Sequence, residues 1–394
     1  MLAIDGATSQ APSIAVSAQQ VVLTWAATAE SRTNIYAARS TDGGRTFTTP
    51  VRVNDVEGDA RVNGEQAPRV AIGDDVVVGW ISKLSGQSRL RIARSTDGGL
   101  TFAPATTPHA GDLTGARGWT SLTIDRQKVV HVAWLDGRDA HTPSGAAAGA
   151  AKAAHADHGG MRQDIYQLSL RPDGSTTEAR VATDVCFCCK TAVTVADEGA
   201  TYVAWRHIYP TNLRDMAVAR SPDGGRTFGA PVRVSEDGWQ IDGCPEDGPS
   251  LAVSADGVLH IVWPTLIDEP QARKAIFYSF SKDGGRTFVP RIRLDRDDDG
   301  STIAAHPQVA AIDSINGRVY VVWDEGAGAS HRVRLRRIAS SSRDGWTPVP
   351  GDIVTVSGDE RAIYPAIAVT PDGAVVAWTA GPSNASEIRV RAIR

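Results

Sequence analysis

The chain is poor in the features that mark several common protein classes. Among 394 residues there are four cysteines and three methionines, and no apolar run approaches the roughly eighteen residues that a membrane-spanning helix needs. No long stretch rich in Ala, Glu, Lys and Leu is present, so long helices are not expected. The formal charge is only −4, with both signs interspersed and no basic stripe, which excludes nucleic acid as an expected partner. Met1-Leu2-Ala3-Ile4-Asp5 lacks a basic start and an apolar core, so the sequence is expected to carry no signal peptide. The expected compartment is periplasmic or secreted with the leader removed, the cytoplasm being the alternative.

Glycine (38 residues) and proline (21) are plentiful, as in an all-β protein of short strands and many turns. One pattern recurs seven times: an apolar strand, a turn, and a strand ending in tryptophan. The tryptophans are Trp25, Trp80, Trp134, Trp205, Trp263, Trp323 and Trp378, spaced by 54 to 71 residues, about the length of one four-stranded propeller blade. The runs before them, such as Val-Val-Leu-Thr-Trp25 and Tyr-Val-Val-Trp323, suit strands buried on both faces between blades. A third strand follows, and four times it ends in nearly the same turn: Ser40 to Phe47, Ser95 to Phe102, Ser221 to Phe228 and Ser281 to Phe288. Aspartate can accept backbone amides across such a turn, glycine supplies positive φ, and the aromatic tucks the turn against the blade. Ser342-Arg-Asp344-Gly-Trp346 is a shortened copy and Pro172-Asp173-Gly174 a worn one. The seventh unit stops after its third strand, so the N-terminal segment around Leu2 to Ile4 is expected to close it. The expected fold is all-β, a seven-bladed β-propeller over residues 1–394 in one domain, with an insertion loop at about 137–163 in the third blade.

The Ser-x-Asp-x-Gly-x-Thr-Phe turns resemble the Asp boxes, or BNR repeats, of the sialidase superfamily, and the resemblance covers nearly the whole chain. It implies an architecture more than an activity, because Asp boxes lie away from the catalytic mouth. A superfamily sialidase uses three arginines, a tyrosine with a glutamate partner, and an aspartate. The resemblance offers Arg117, Arg206, Arg214 and Arg361, with Tyr364 and Asp139. The family's early Arg-Ile-Pro motif is absent, and the family closes with six blades where seven repeats are counted here.

Repeat register assigns residues to the mouth, where propeller ligands bind. Loops entering the innermost strands carry Glu65, Arg117, Trp119, the Cys186–Cys189 run, Cys244, His306 and Tyr364. Loops after the tryptophans carry Asp136, Arg138, Asp139, Arg206, His207, Tyr209, Arg214, Asp215, Asp268, Asp324 and Glu325. Every cysteine lies in Cys186-Phe-Cys188-Cys189 or at Cys244, in equivalent loops of adjacent blades. Converging thiolates favour copper, with zinc as the alternative, and His306 or His207 could complete the shell; the other reading is structural disulfides. Arg206, His207, Tyr209 and Arg214 form a second dense patch, read as substrate-binding and proton-handling groups, the alternative being a solvated loop. The insertion adds His141, His155, Asp157 and His158, with a short helix conceivable through Ala146 to Ala154. His131 and His260 fall in mid-strand and are expected in the core, and His109 and His331 on loops and surface.

The leading expectation is thus a copper-like site of Cys186, Cys188, Cys189, Cys244 and His306 serving redox chemistry or metal handling. The first alternative is a glycoside hydrolase using mouth carboxylates and arginines on a glycan or other small-molecule substrate. Its carboxylates would be drawn from Asp136, Asp139, Glu246, Asp247, Asp324 and Glu325. The second is a non-catalytic propeller binding a protein partner.

Overall fold

In the computed structural model the described residues are 1–84, 86–109, 115–141, 162–186, 190–240, 247–267, 273–295, 302–314, 317–327, 330–340 and 346–394. They form seven antiparallel sheets, each a blade. Blade 1 holds β1 (Thr8–Ser17), β2 (Gln20–Ala29), β3 (Arg32–Ser40) and β4 (Val51–Arg52). Blade 2 holds β5 (Arg69–Ile72), β6 (Val76–Leu84) and β7 (Gln87–Ser95), and an Ile92–Thr106 bridge marks its outer edge. Blade 3 holds β8 (Arg117–Ile124), β9 (Val130–His141), β10 (Arg162–Leu170) and β11 (Thr176–Cys186). Blade 4 holds β12 (Ala192–Val195), β13 (Thr201–Arg206), β14 (Met216–Ser221) and β15 (Val232–Arg233). Blade 5 holds β16 (Ser250–Val253), β17 (Leu259–Ile267), β18 (Arg273–Ser281) and β19 (Ile292–Arg293). Blade 6 holds β20 (Ile303–Asp313), β21 (Arg318–Ala327), β22 (Ser330–Ser340) and β23 (Pro348–Thr355). Blade 7 holds β24 (Ala362–Thr370), β25 (Gly373–Ala380) and β26 (Glu387–Ile393). Its outer edge is closed by the N-terminus: Leu2 and Ile388 exchange backbone hydrogen bonds of 2.8 and 2.9 Å, as the truncated seventh repeat predicts. Among the described residues no helix is long and apolar enough to cross a membrane.

The core is divided into seven apolar clusters, one at each interface between neighbouring blades. Strand alternation produces this division. Along β2, Val21, Leu23 and Trp25 face blade 7, whereas Val22 and Ala26 face blade 2. Every repeat tryptophan is buried against the preceding blade, so each is a clamp between blades, and its replacement by alanine costs about 3–5 kcal/mol.

The four Ser–Asp turns share one hydrogen-bond pattern. In blade 5, Asp283 Oδ1 accepts from the backbone N–H groups of Arg286 and Thr287, both at 3.0 Å, and Oδ2 accepts the Thr287 hydroxyl at 2.6 Å. Ser281 Oγ donates to Asp283 and accepts from Gly285 N–H. The second glycine of each turn lies against the preceding blade. At Gly225 (φ +88°) a Cβ would stand 2.3 Å from Gln167 Oε1, so both the conformation and the contact require glycine. Up-and-down connectivity puts these turns at the opposite end of the ring from the loops that enter the innermost strands.

The innermost strands β1, β5, β8, β12, β16, β20 and β24 surround a central channel of about 510 Å³. The insertion expected at 137–163 begins later than anticipated, because β9 continues to His141 and β10 starts at Arg162. His155, Asp157, His158 and the Ala146–Ala154 helix lie outside the described residues.

Candidate functional site at the channel mouth

Four innermost strands begin with a register shift that places one non-glycine residue at positive φ: Ala11 (57°), Trp119 (58°), His306 (54°) and Tyr364 (53°). Such backbone costs about 1–3 kcal/mol each and persists only where its surroundings hold it. Here the holding groups are visible, and each comes from the preceding blade. Ala11 N–H donates to Thr379 Oγ1 (3.0 Å) and Trp119 N–H to Gln66 Oε1 (3.2 Å). His306 N–H donates to Asp247 Oδ2 (2.8 Å), and Tyr364 N–H to Asp324 Oδ2 (2.9 Å). The corresponding position in all seven blades is two residues before the partner of the residue preceding the tryptophan. It is occupied by Ala11, Ala67, Trp119, Lys190, Gly248, His306 and Tyr364, and in five blades proline follows.

On this frame a charged cluster is assembled. His306 lies between two carboxylates, its Nε2 2.7 Å from Glu65 Oε1 and its Nδ1 2.5 Å from Asp324 Oδ2. Burial works against its charge, yet Asp324 and Glu65 hold the imidazole pKa well above its ordinary value. Burial likewise opposes ionisation of Glu65 and Asp324, but the imidazolium wins and both carboxyls titrate lower than usual. Asp247 differs: burial, reinforced by the Glu65 charge, pushes its pKa up. The Tyr364 ring stacks at a tilt on His306, with centroids 4.4 Å apart. It also lies directly on Gly64, where an added Cβ would stand 1.9 Å from the phenol Cζ. Arg69 and Lys190 line the same pocket together with Gln308. Burial lowers both cations' pKa values, Arg69 to about 10. A carboxylate entering the mouth would therefore meet two poorly solvated cations, where electrostatic attraction is strong.

Of the residues singled out by sequence, the structure brings Glu65, Asp247, His306, Asp324 and Tyr364 together. Others serve the scaffold. Asp136 accepts from the Trp134 indole (2.8 Å) and Arg138 (2.7 Å) and lies 3.3 Å from Arg117. Glu325 accepts from the Trp323 indole (2.8 Å) and Arg334 (2.6 Å). Asp139 accepts the Tyr166 hydroxyl at 2.9 Å. Arg206 is fully buried, donates to the carbonyls of Arg214 (3.0 Å) and Pro264 (2.6 Å), and stacks on Trp239, which fastens blade 4 to blade 5. Arg214 is buried too and donates to Asn212 Oδ1 at 2.9 Å. Asp215 pairs with Arg233. His207 accepts the Trp205 indole N–H (3.2 Å) and packs edge-on against Tyr209, whose pKa burial pushes up to about 12. His207 lines a groove with Arg180 and Phe228. Asp268, Glu246, Cys188, Cys189 and Cys244 lie outside the described residues. Cys186 ends β11 and is buried.

His131 and His260 are buried as expected, hydrogen-bonded to Asp125 (2.9 Å) and to Tyr278 (2.8 Å). His109, expected on a loop surface, is instead buried next to Trp134. His331 is half-buried on β22, 3.6 Å from Asp324. The sequence reading missed Arg69 and passed over Lys190. The Ala67-Pro step locates Arg69, two residues on, and repeat register with the other X-Pro steps places Lys190, which proline does not follow.

No protein-family model and no curated protein matches the chain. Solved structures do resemble it. An ulvan lyase of polysaccharide lyase family PL25, bound to a -[GlcA(1-4)Rha3S]- chain, superposes with a TM-score of 0.57 at 11% identity. That match covers 100% of this chain and 94% of the lyase. A Hadza microbial sialidase gives 0.51 at 16% identity, covering 80% of this chain and 63% of that one. A Dyadobacter fermentans protein of unknown function gives 0.50 at 14% identity, with 99% and 95% covered. The likeness is one of fold. The chain has a sialidase-like propeller fold.

Proposed function

We propose that the protein cleaves glycosidic bonds in an acidic carbohydrate at the mouth of its central channel. The observation that carries this reading is the convergence of Tyr364, His306 and Glu65 with Arg69 and Lys190 on one small pocket, the two cations also lining the central channel. Tyr364 would supply the oxygen that meets the sugar. Glu65, next in sequence to the glycine under the phenol ring and close enough to act electrostatically on Tyr364, would be its carboxylate partner, and Arg69 and Lys190 would receive the sugar's own carboxylate. The neighbours named for glycans, a sialidase and a lyase bound to a glucuronate-containing chain, support this reading over copper redox chemistry.

The test is incubation with a panel of sialylated and uronate-containing glycans, followed by reducing-end release and ultraviolet absorbance. Release of reducing ends without a new chromophore, lost in Tyr364→Phe, is the expected result. A new ultraviolet-absorbing double bond would reassign the same residues to β-elimination, with Tyr364 as the base. No cleavage of any acidic glycan, or full activity in Tyr364→Phe, would overturn the reading.

A further inference from the structure

We infer that Glu65, Asp247 and His306 form a binding site for a first-row divalent cation of the Mn²⁺ class, joining blades 2, 5 and 6 across the channel mouth. Each residue offers one ligand atom, and these atoms all lie within 4.8 Å of one another. Asp247 is 1% exposed and Glu65 8%. Asp247 is already oriented, because its Oδ2 accepts the His306 backbone N–H at 2.8 Å. Its Oδ1 is buried without a hydrogen-bond partner. A buried carboxylate oxygen left without a donor is costly, and a cation would satisfy it.

The histidine is set up in the same sense. Asp324 holds Nδ1 at 2.5 Å, which fixes the ring so that Nε2 points towards Glu65, and an ion would take the place of the proton that Nε2 and Glu65 share without it. A carboxylate on the far ring nitrogen is the usual companion of a metal-bound imidazole, because it fixes both tautomer and orientation. Asp324 is in turn held by the Tyr364 N–H. One nitrogen and two carboxylate oxygens suit a first-row ion better than Ca²⁺, which takes six to eight oxygens, and leave positions open for an incoming group. Lys190 acts electrostatically on the same two carboxylates, so its ammonium competes with the ion. The inference extends the reading of the mouth as a site for an acidic sugar, whose carboxylate the ion would hold together with Arg69 and Lys190, but its test needs no glycan.

Mn²⁺ is titrated into chelator-stripped full-length protein with its cysteines alkylated, and bound ion is counted from the loss of the free Mn²⁺ paramagnetic resonance signal. The expected result is one saturable Mn²⁺ per chain and a higher melting temperature. Asp247→Asn and Glu65→Gln, each checked for folding by circular dichroism, should weaken binding about tenfold or more, and Lys190→Met should tighten it. Absence of saturable binding would overturn the inference. So would stoichiometric binding that neither carboxylate variant weakens. A wild type that binds Mn²⁺ but cleaves no glycan would sink the enzymatic reading and leave the cation site standing.

Discussion

At the lower end of the ring, the turns at Asp42, Asp97, Asp223 and Asp283 repeat one set of hydrogen bonds in four blades. At the mouth, the seven equivalent positions carry Ala11, Ala67, Trp119, Lys190, Gly248, His306 and Tyr364. Four of these positions, Ala11, Trp119, His306 and Tyr364, share a register shift and positive φ, while the side chains diverge. A residue type repeated from blade to blade is doing what every blade needs, which is to stop a strand and seat it on its neighbour. A residue that departs from the repeat, while its backbone does not, is available for chemistry. His260 and His306 make the same contrast within one residue type. Both are buried, but burial among uncharged hydroxyls keeps His260 neutral, whereas His306 sits between carboxylates that charge it.

The strongest expected break of this comparison is at Tyr364. Tyr364→Phe should lower turnover of an acidic glycan by about 10²–10⁴-fold while thermal unfolding stays unchanged, because only a hydroxyl at the mouth is lost. An equal loss from Thr287→Ala at a lower turn would erase the distinction between the two ends. Next is Gly64→Ala, whose methyl cannot coexist with the Tyr364 ring at 1.9 Å. It should displace the ring, cost about 1–3 kcal/mol in urea unfolding, and lower turnover with it.

The histidine contrast is sharpened by pH. Burial pushes the His260 pKa down to about 3 from 6.5, so the unfolded chain binds the extra proton first. Stability from this residue is fully present above pH 6.5 and falls as pH drops below it, by up to about 1.4 kcal/mol per pH unit, until the folded pKa is reached. His260→Gln should flatten that part of the curve in urea titrations between pH 4 and 7, a window set by those two values. The smallest effect is expected at a single lower turn. Asp283→Ala removes hydrogen bonds that close one exposed turn, so about 1 kcal/mol should be lost with turnover unaffected, as calorimetry beside the glycan assay would record.

Much of this was legible in the sequence, for physical reasons. Tryptophan at the end of an apolar strand reports the interface between blades, and the Ser–Asp turns close on themselves through local hydrogen bonds, so both survive translation from a linear pattern. The truncated seventh repeat likewise required a partner, and Leu2 supplies it. The mouth was legible as a face but not as a site. Asp136 and Glu325 face the same loops as Asp324, but each caps the indole two residues before it, and only the structure separates the capping carboxylates from the one beside His306. Arg206 and Arg214 look like anion binders in sequence, yet they are buried and spend their donors on the Asn212 side chain and the Arg214 and Pro264 carbonyls, the last of them 58 residues away on blade 5.

The most direct test of the central claim is hydrogen–deuterium exchange with and without an acidic oligosaccharide. New protection is expected at the mouth, in residues 63–69, 304–308 and 362–366, with exchange unchanged in the Ser–Asp turns at 40–47, 95–102, 221–228 and 281–288. Protection at those turns with an unaltered mouth would contradict it.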